Sequence, residues 1–277
     1  TSYGDMLRVP GSKSSLLDAK SNGADVRMIY SPLDAIKIAK ENPNKKIIFF
    51  AIGFETTAPA NAASILTAMK LSLDNYFVLS SQILIPPAVE ALLNTGLVQL
   101  NGLLAPGHVC TITGTNWCEK ISNEFCIPIT VTGFEPVDIL EGILLTVRQI
   151  LSNEYNTHNQ YKRVVTKDGN IKAQETIYKV FEVCSRKWRG LGDIKNSGLK
   201  LKNDFNDFDA EKVFDIDFTY SKEDERCIAG KILQGLSKPK DCNLFGNECT
   251  PSKPVVPQWY HQNGLALLII IIAQSIK

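Results

Sequence analysis

The chain has little of several things that would place it quickly. Neither sign of charge is in excess: 30 Lys and Arg stand against 29 Asp and Glu, a formal net charge of +1. That balance gives no electrostatic case for a nucleic acid or an anionic membrane as partner. No Arg-rich stripe or basic tail supplies one locally. Gly-x-Gly-x-x-Gly and Gly-Lys-Ser/Thr patterns are missing, which removes the usual phosphate loops. The first residues, TSYGDMLRVPG, lack the apolar centre of a secretory signal. The longest apolar run, residues 265–273 (LALLIIIIA), falls short of the roughly 20 residues that span a bilayer.

What is present is a substantial apolar content, 44% of 277 residues, enough for two modest domains or one large one. Seven cysteines make an odd number. Cys110, Cys118, Cys126 and Cys184 are scattered and read as small buried hydrophobes. Cys227, Cys242 and Cys249 cluster near the C-terminus. Without a secretory signal the expected compartment is reducing and cytoplasmic, and the cluster points to a metal rather than to disulfides. Structural zinc and iron–sulfur sites normally use four ligands, so three are either an incomplete set or one that borrows a distant ligand.

The patterning predicts strands at residues 26–30, 47–52, 76–79, 100–105 and 127–131. Helices are expected at 33–41, opened by Pro32, and at 60–71, 88–93, 118–125, 135–151 and 171–186. The run at 47–52 reads as a strand covered on both faces. Residues 188–198 (WRGLGDIKNSG) read as a glycine-rich fixed loop, and 203–217 as an acidic linker anchored by Phe205, Phe208 and Phe214. Strands alternating with helices predict parallel sheets. The predicted architecture is α/β: a first domain over 1–84, a second over 85–204 with a hinge just before the helix that Pro86-Pro87 opens, and a third region over 205–277.

Two strand ends carry Gly-Phe-Glu: residues 47–59 (IIFFAIGFETTAP) and 127–140 (IPITVTGFEPVDIL). Ligands of open α/β sheets bind outside the carboxyl ends of the strands. Gly53 permits a sharp turn, Thr56 or Thr57 can cap the next helix, and Glu55 is favoured near its positive end. Read alone, this is also simply a well-made helix start. The second copy, with Glu135, is expected to repeat the geometry. Between them His108 follows Ala-Pro-Gly at another strand end, placed for proton transfer, metal ligation or hydrogen bonding to a ligand. A small acid/base enzyme pairing His108 with Glu55 or Glu135 is the rival reading.

Together these segments resemble the HypD family of [NiFe]-hydrogenase maturation proteins. The likeness rests on GDMLRVPGS (4–12), GADVRMIYSPLDA (23–35), FFAIGFETTAPA (49–60), LAPGHV (104–109), VTGFEPVDIL (131–140), NQYKR (159–163), WRGLG (188–192) and DCNLFGNECTP (241–251). It implies two Rossmann-like parallel-sheet domains and a C-terminal iron–sulfur-type region. It also implies a redox-active assembly scaffold without turnover, working with a HypC-type chaperone and a HypE-type cyanide donor. The scaffold would help build an Fe(CN)2CO unit, its transient cargo, for the hydrogenase. On that resemblance Glu55, Thr56, Thr57, His108 and Glu135 are the expected polar wall around the iron unit, and Cys227, Cys242 and Cys249 the expected ligands of a [4Fe–4S] cluster.

Two departures follow from the same resemblance. It implies Cys-Gly-Thr-His and Gly-Pro-Gly-Cys-Pro-Val-Cys segments ahead of GDMLRVPGS, so the sequence beginning at Thr1 is expected to lack the first strands and the iron-holding cysteines. It also implies Cys-x-Cys-Gly where Cys227-Ile228-Ala229-Gly230 stands, and further cysteines after Pro254. From Pro257 onward a shifted reading frame allows a family-like ending, so that tail is expected to be out of frame. The fragment is expected to be impaired in assembly.

Overall fold

The computed structural model describes residues 1–11, 13–188, 191–214, 216 and 224–250. The apolar run at 265–273 and the tail from Pro257 lie outside the described residues. In chain order the main elements are β1 (Ser2–Tyr3), α1 (Leu16–Ser21), β2 (Met28–Ile29), α2 (Pro32–Glu41), β3 (Ile47–Gly53), α3 (Ala58–Lys70), β4 (Tyr76–Ile83) and α4 (Ile85–Leu93). They continue with β5 (Leu103–Pro106), α5 (Gly107–Thr113), α6 (Asn116–Phe125), β6 (Ile129–Thr132), α7 (Pro136–Ser152), β7 (Thr157–Asn159), α8 (Ile171–Val180), β8 (Phe181–Trp188) and β9 (Gly192–Leu201). The fold is α/β, as predicted.

Helix α2 shows how local sequence sets an element. Pro32 occupies its first turn, Ser31 Oγ accepts from Leu33 N–H, and Asp34 Oδ2 accepts from Ser31 N–H at 2.9 Å. This is a capping box with a proline start. Strand β3 buries Ile47, Phe49 and Ala51 but leaves Ile48 36% exposed. The strand is therefore not covered equally on both faces, because the layer on the Ile48 side is incomplete.

The strands form two sheets. The first has the order β2-β1-β3-β4-β9-β8, and the second β5-β6-β7. Pairings among β1 to β4 are parallel, as are those among β5 to β7. Strand β9 runs antiparallel to both β4 and β8, so the first sheet is mixed rather than purely parallel. Residues 171–186 are a helix only as far as Val180. Phe181 starts a strand, and the expected loop at 188–198 is largely β9.

This hairpin bridges the two halves. Phe181, Leu199 and Leu201 belong to the core under the first sheet, whereas Trp188 and Ile194 belong to the core around the second. Adjacent residues here serve different cores: Leu84 packs in the first and Ile85 in the second. Leu84 N–H donates to Ser197 O of β9 at 2.8 Å, which fastens the crossing point to the hairpin. Phe205 is buried and Phe208 packs against the first core, while Phe214 meets Phe77 edge-on at 4.9 Å. The expected aromatic anchors of the acidic segment are thus in place.

Helix α7 turns small and polar residues inward: Asp138, Gly142, Thr146 and Gln149 are buried. Val137, Leu140, Leu144 and Leu151 face outward, 47% to 72% exposed. The inward face fits β6 closely. A Cβ on Gly142 would lie 2.1 Å from Thr132 Cγ2, and the Thr130 and Thr146 hydroxyls meet at 2.7 Å in a fully buried site. Because Thr146 also donates to Gly142 O, Thr130 is the donor in that pair. Thr146→Val leaves the Thr130 hydroxyl without its acceptor and should destabilise the fold by about 1–2 kcal/mol. Thr130→Val/Thr146→Val together should cost less than Thr146→Val alone. Urea unfolding of the single and double variants measures both.

Candidate functional site

The second Gly-Phe-Glu loop is built on strand ends. Gly107 and Gly133, at the ends of β5 and β6, both lie against Tyr161. A Cβ on Gly107 would lie 2.3 Å from Thr132 O and 2.6 Å from the Tyr161 ring, and one on Gly133 would lie 2.0 Å from Asp138 Oδ2. The absence of side chains lets three segments, LAPGH, TGFE and NQYKR, converge. His108 sits in the first turn of α5, its ring 4.6 Å from the Phe134 ring. His108 Nδ1 is buried and has no hydrogen-bond partner. Burial lowers the pKa of the imidazole and favours its neutral form.

Beside it stands an ionic clamp. Arg163 grips Asp138 with two hydrogen bonds, at 2.8 and 2.6 Å, and reaches the exposed Glu135 at 3.4 Å. Its guanidinium lies over the Tyr161 ring, 4.4 Å from the centroid. Gln160 donates to Asp138 at 2.8 Å and accepts from Gly133 N–H at 3.4 Å. The Arg163 hydrogen bonds, followed by that from Gln160, hold the Asp138 carboxyl down at about 2. Asp138, Gln160 and Arg163 were not singled out as functional from the sequence. The signal was the NQYKR segment, whose Gln160 and Arg163 side chains reach Gly133, Glu135 and Asp138.

The first copy is arranged differently, so the expected repeat of geometry does not hold. Gly53 takes a φ of +138°, open to glycine, whereas Gly133 is not among the positive-φ residues. Helix α3 begins at Ala58, and Thr57 stands at its N-cap without a side-chain capping bond. Thr57 Oγ1 instead donates to Phe54 O at 3.2 Å and accepts from Gln82 at 3.1 Å. Thr56 is half-buried. Glu55 does not serve the helix that follows it. It is 3% exposed, and its Oε1 accepts from Ile85 N–H at 2.8 Å, at the N-terminus of α4. Glu135, by contrast, is 77% exposed. Phe54 packs against the second core, while Phe134 packs on His108.

The other Glu55 oxygen, Oε2, is buried without a partner. Glu55 is one of the residues lining a cavity of about 620 Å³, whose walls come from the Leu84–Pro87 crossing, from α5 and α6, from α8 and from the hairpin. Thr56, Thr57, His108 and Glu135 are not among the residues lining this cavity. Nor does a carboxylate meet His108 Nδ1, and the acid/base pair of the rival enzyme reading is not formed at that nitrogen. Burial raises the Glu55 carboxyl from its ordinary 4.5 to about 7.

Of the scattered thiols, Cys110 and Cys118 are fully buried as expected, Cys184 is partly so and Cys126 is exposed. Cys227, Cys242 and Cys249 line a small void of about 10 Å³ together with Ala229. Arg226 ties this corner together by bonding both Asp224 and Glu248. Among the described residues no group of three or more His, Cys, Asp or Glu is placed to hold a metal ion. The residue at the position where the resemblance implies a further cysteine contributes only a methyl group. The described residues therefore do not fit a four-thiolate [4Fe–4S] site.

The chain matches the HypD family, described as the hydrogenase formation hypA family, over residues 1–266. It is 45% identical over 261 residues to hydrogenase maturation factor HypD2 of Bradyrhizobium diazoefficiens, covering 91% of this chain and 69% of that protein. It is 42% identical over 260 residues to hydrogenase maturation factor HypD of Azotobacter vinelandii, with the same coverage of each. For HypD of Escherichia coli K12 the identity is 42% over 250 residues, covering 90% and 67%. The chain belongs to the HypD family of hydrogenase maturation factors. No helix among the described residues is long and apolar enough to cross a membrane.

Two outcomes follow from this geometry. Glu55 is protonated more readily folded than unfolded, so its contribution is complete below pH 4.5 and is lost as pH rises through about 7. That shift corresponds to at most about 3 kcal/mol. Glu55→Gln should flatten the pH dependence of stability in this window, as measured by urea unfolding at a series of pH values. Gly133→Ala should force Asp138 off Arg163 and lower the melting temperature by several degrees, whereas Gly96→Ala, with open space around it, changes only local backbone strain. Thermal melts of the two variants compare them.

Proposed function

We propose that the chain serves hydrogenase maturation as a scaffold without turnover, on which an Fe(CN)2CO unit is assembled with a HypC-type chaperone and a HypE-type cyanide donor in the cytoplasm. Membership of the HypD family supports the process. The observation that carries the local reading is His108, held at the end of β5 with a buried, unpartnered Nδ1 beside the TGFE loop. A neutral imidazole in such a place can offer one hydrogen bond to a bound group, or take up a proton as charge develops nearby.

In this reading His108, Glu135, Thr56 and Thr57 are polar positions around the cargo. Glu55 acts more remotely by holding the start of α4. The Arg163–Asp138–Gln160 clamp keeps the loop bearing Phe134 and Glu135 against His108. Cys227, Cys242 and Cys249 remain the candidate thiolates for an iron–sulfur group. Since the described residues do not complete its ligand set, no electron-transfer step is assigned to it.

The test is capture of a HypC-type partner by the tagged chain, followed by iron content of the captured complex. His108→Ala, if it melts like the parent, should reduce captured iron at least about tenfold. Iron retained at the parental level would overturn the assignment of His108. Iron and sulfide assays after anaerobic reconstitution of the chain alone should give clearly fewer than four of each per molecule, and a full complement would refute the misfit at Ala229.

A further inference from the structure

The cavity at the junction of the two halves holds one ionisable carboxyl in otherwise uncharged surroundings. Its lining residues include the aromatic Trp117 and Tyr178, Pro86 and Pro87, and the amide-bearing Asn116 and Asn196. No Lys, Arg or His contributes to the lining. Glu55 Oε1 is satisfied by Ile85 N–H, and Oε2 is buried with nothing to bond. Unpartnered buried carboxyl oxygens are costly and ask for a partner. The faces of aromatic rings carry negative potential and attract cations. At about 620 Å³ the cavity has room for a ligand of small-molecule size.

We infer that this cavity is a binding site for an organic ammonium group carried on an apolar stem, with the Glu55 carboxyl as counter-ion and Trp117 and Tyr178 among the residues around it. An anion would meet the Glu55 carboxyl without a compensating cation. A neutral alcohol could accept or donate one hydrogen bond there but would gain nothing from the ring faces. The ammonium could come from a free amine or from a lysine side chain of a partner protein, since the chemistry is shared.

Binding has a proton balance. The ammonium enters charged, the protonated Glu55 gives up its proton to solvent, and an ion pair forms in the cavity. The other titratable lining residue, Tyr178, lies close enough to feel the Glu55 charge, and burial with that neighbour raises its phenol, so it stays neutral throughout. The inference does not depend on the iron-scaffold reading, because neither cargo nor partner is needed to observe it.

The experiment is titration calorimetry of the full chain near pH 6 in two buffers of different ionisation enthalpy. The probes are phenethylamine, phenethyl alcohol, 3-phenylpropionate and Nα-acetyl-lysine methylamide. The expected result is binding of one or both amines with release of about one proton per site, and binding of the alcohol and the acid at least about tenfold weaker. A response to the lysine derivative alone identifies a side-chain ligand, and a response to phenethylamine alone identifies a free amine. Glu55→Gln should weaken the amine at least tenfold and abolish proton release without changing the alcohol. Where that variant fails to fold, proton release by the parent decides. No amine binding at millimolar concentration, equal binding of amine and alcohol, or amine binding without proton release overturns the inference.

Discussion

Strands β8 and β9 belong to two hydrophobic cores at once, and most of the remaining structure depends on that double membership. At the base of the hairpin Phe181, Leu199 and Leu201 complete the first core, and at its far end Trp188 and Ile194 complete the second. The Trp188 indole donates to Ser197 Oγ at 2.9 Å, and that hydroxyl in turn donates to Ile194 O, a relay of hydrogen bonds within the hairpin itself. One ribbon thus supplies side chains to both cores. The Leu84–Ile85 crossing is bonded to the same ribbon, Leu84 N–H donating to Ser197 O.

Within this frame the two Gly-Phe-Glu segments take different parts. The first sends its phenylalanine into the neighbouring core and its glutamate under the start of α4, which makes it a joint between the halves. The second keeps its phenylalanine on His108 and its glutamate in solvent, which makes it a rim. The difference is set by what lies around each loop. A crowded junction desolvates Glu55, while Arg163 draws Glu135 outward. Identical tripeptides at the two strand ends thus acquire different exposure and different partners from their surroundings.

Much of the arrangement was legible in the sequence. Apolar runs ended by glycine marked β3, β5 and β6, and the proline starts of α2, α4 and α7 marked helix beginnings within a few residues. His108 and both glutamates stood out because few residues of their kind follow strand ends. The hairpin was not legible. Its sequence carries Gly192, Asn196 at a φ of +56° and a register shift between Cys184 and Arg186, so the period-two pattern is broken and the glycines imitate a loop. The partner of Glu55 was hidden for a different reason. Ile85 N–H lies thirty positions away, and only the packing of the two halves brings it to the carboxylate. Asp138 was hidden by periodicity, since α7 buries its polar stripe and the apolar stripe faces out.

Strand β9 pairs with β4 by joining Gln82 to Leu199 and Ile83 to Gly198. A ribosome makes these partners far apart in time, with the whole of β5 to α8 emerging between them. The first sheet therefore cannot close when its own strands β1 to β4 are complete. It must wait, with the β4 edge unpaired, until the second sheet has been synthesised and the chain has turned back. Assembly of this protein is thus nested rather than sequential: the later unit folds inside an interval opened by the earlier one, and the last strand seals both.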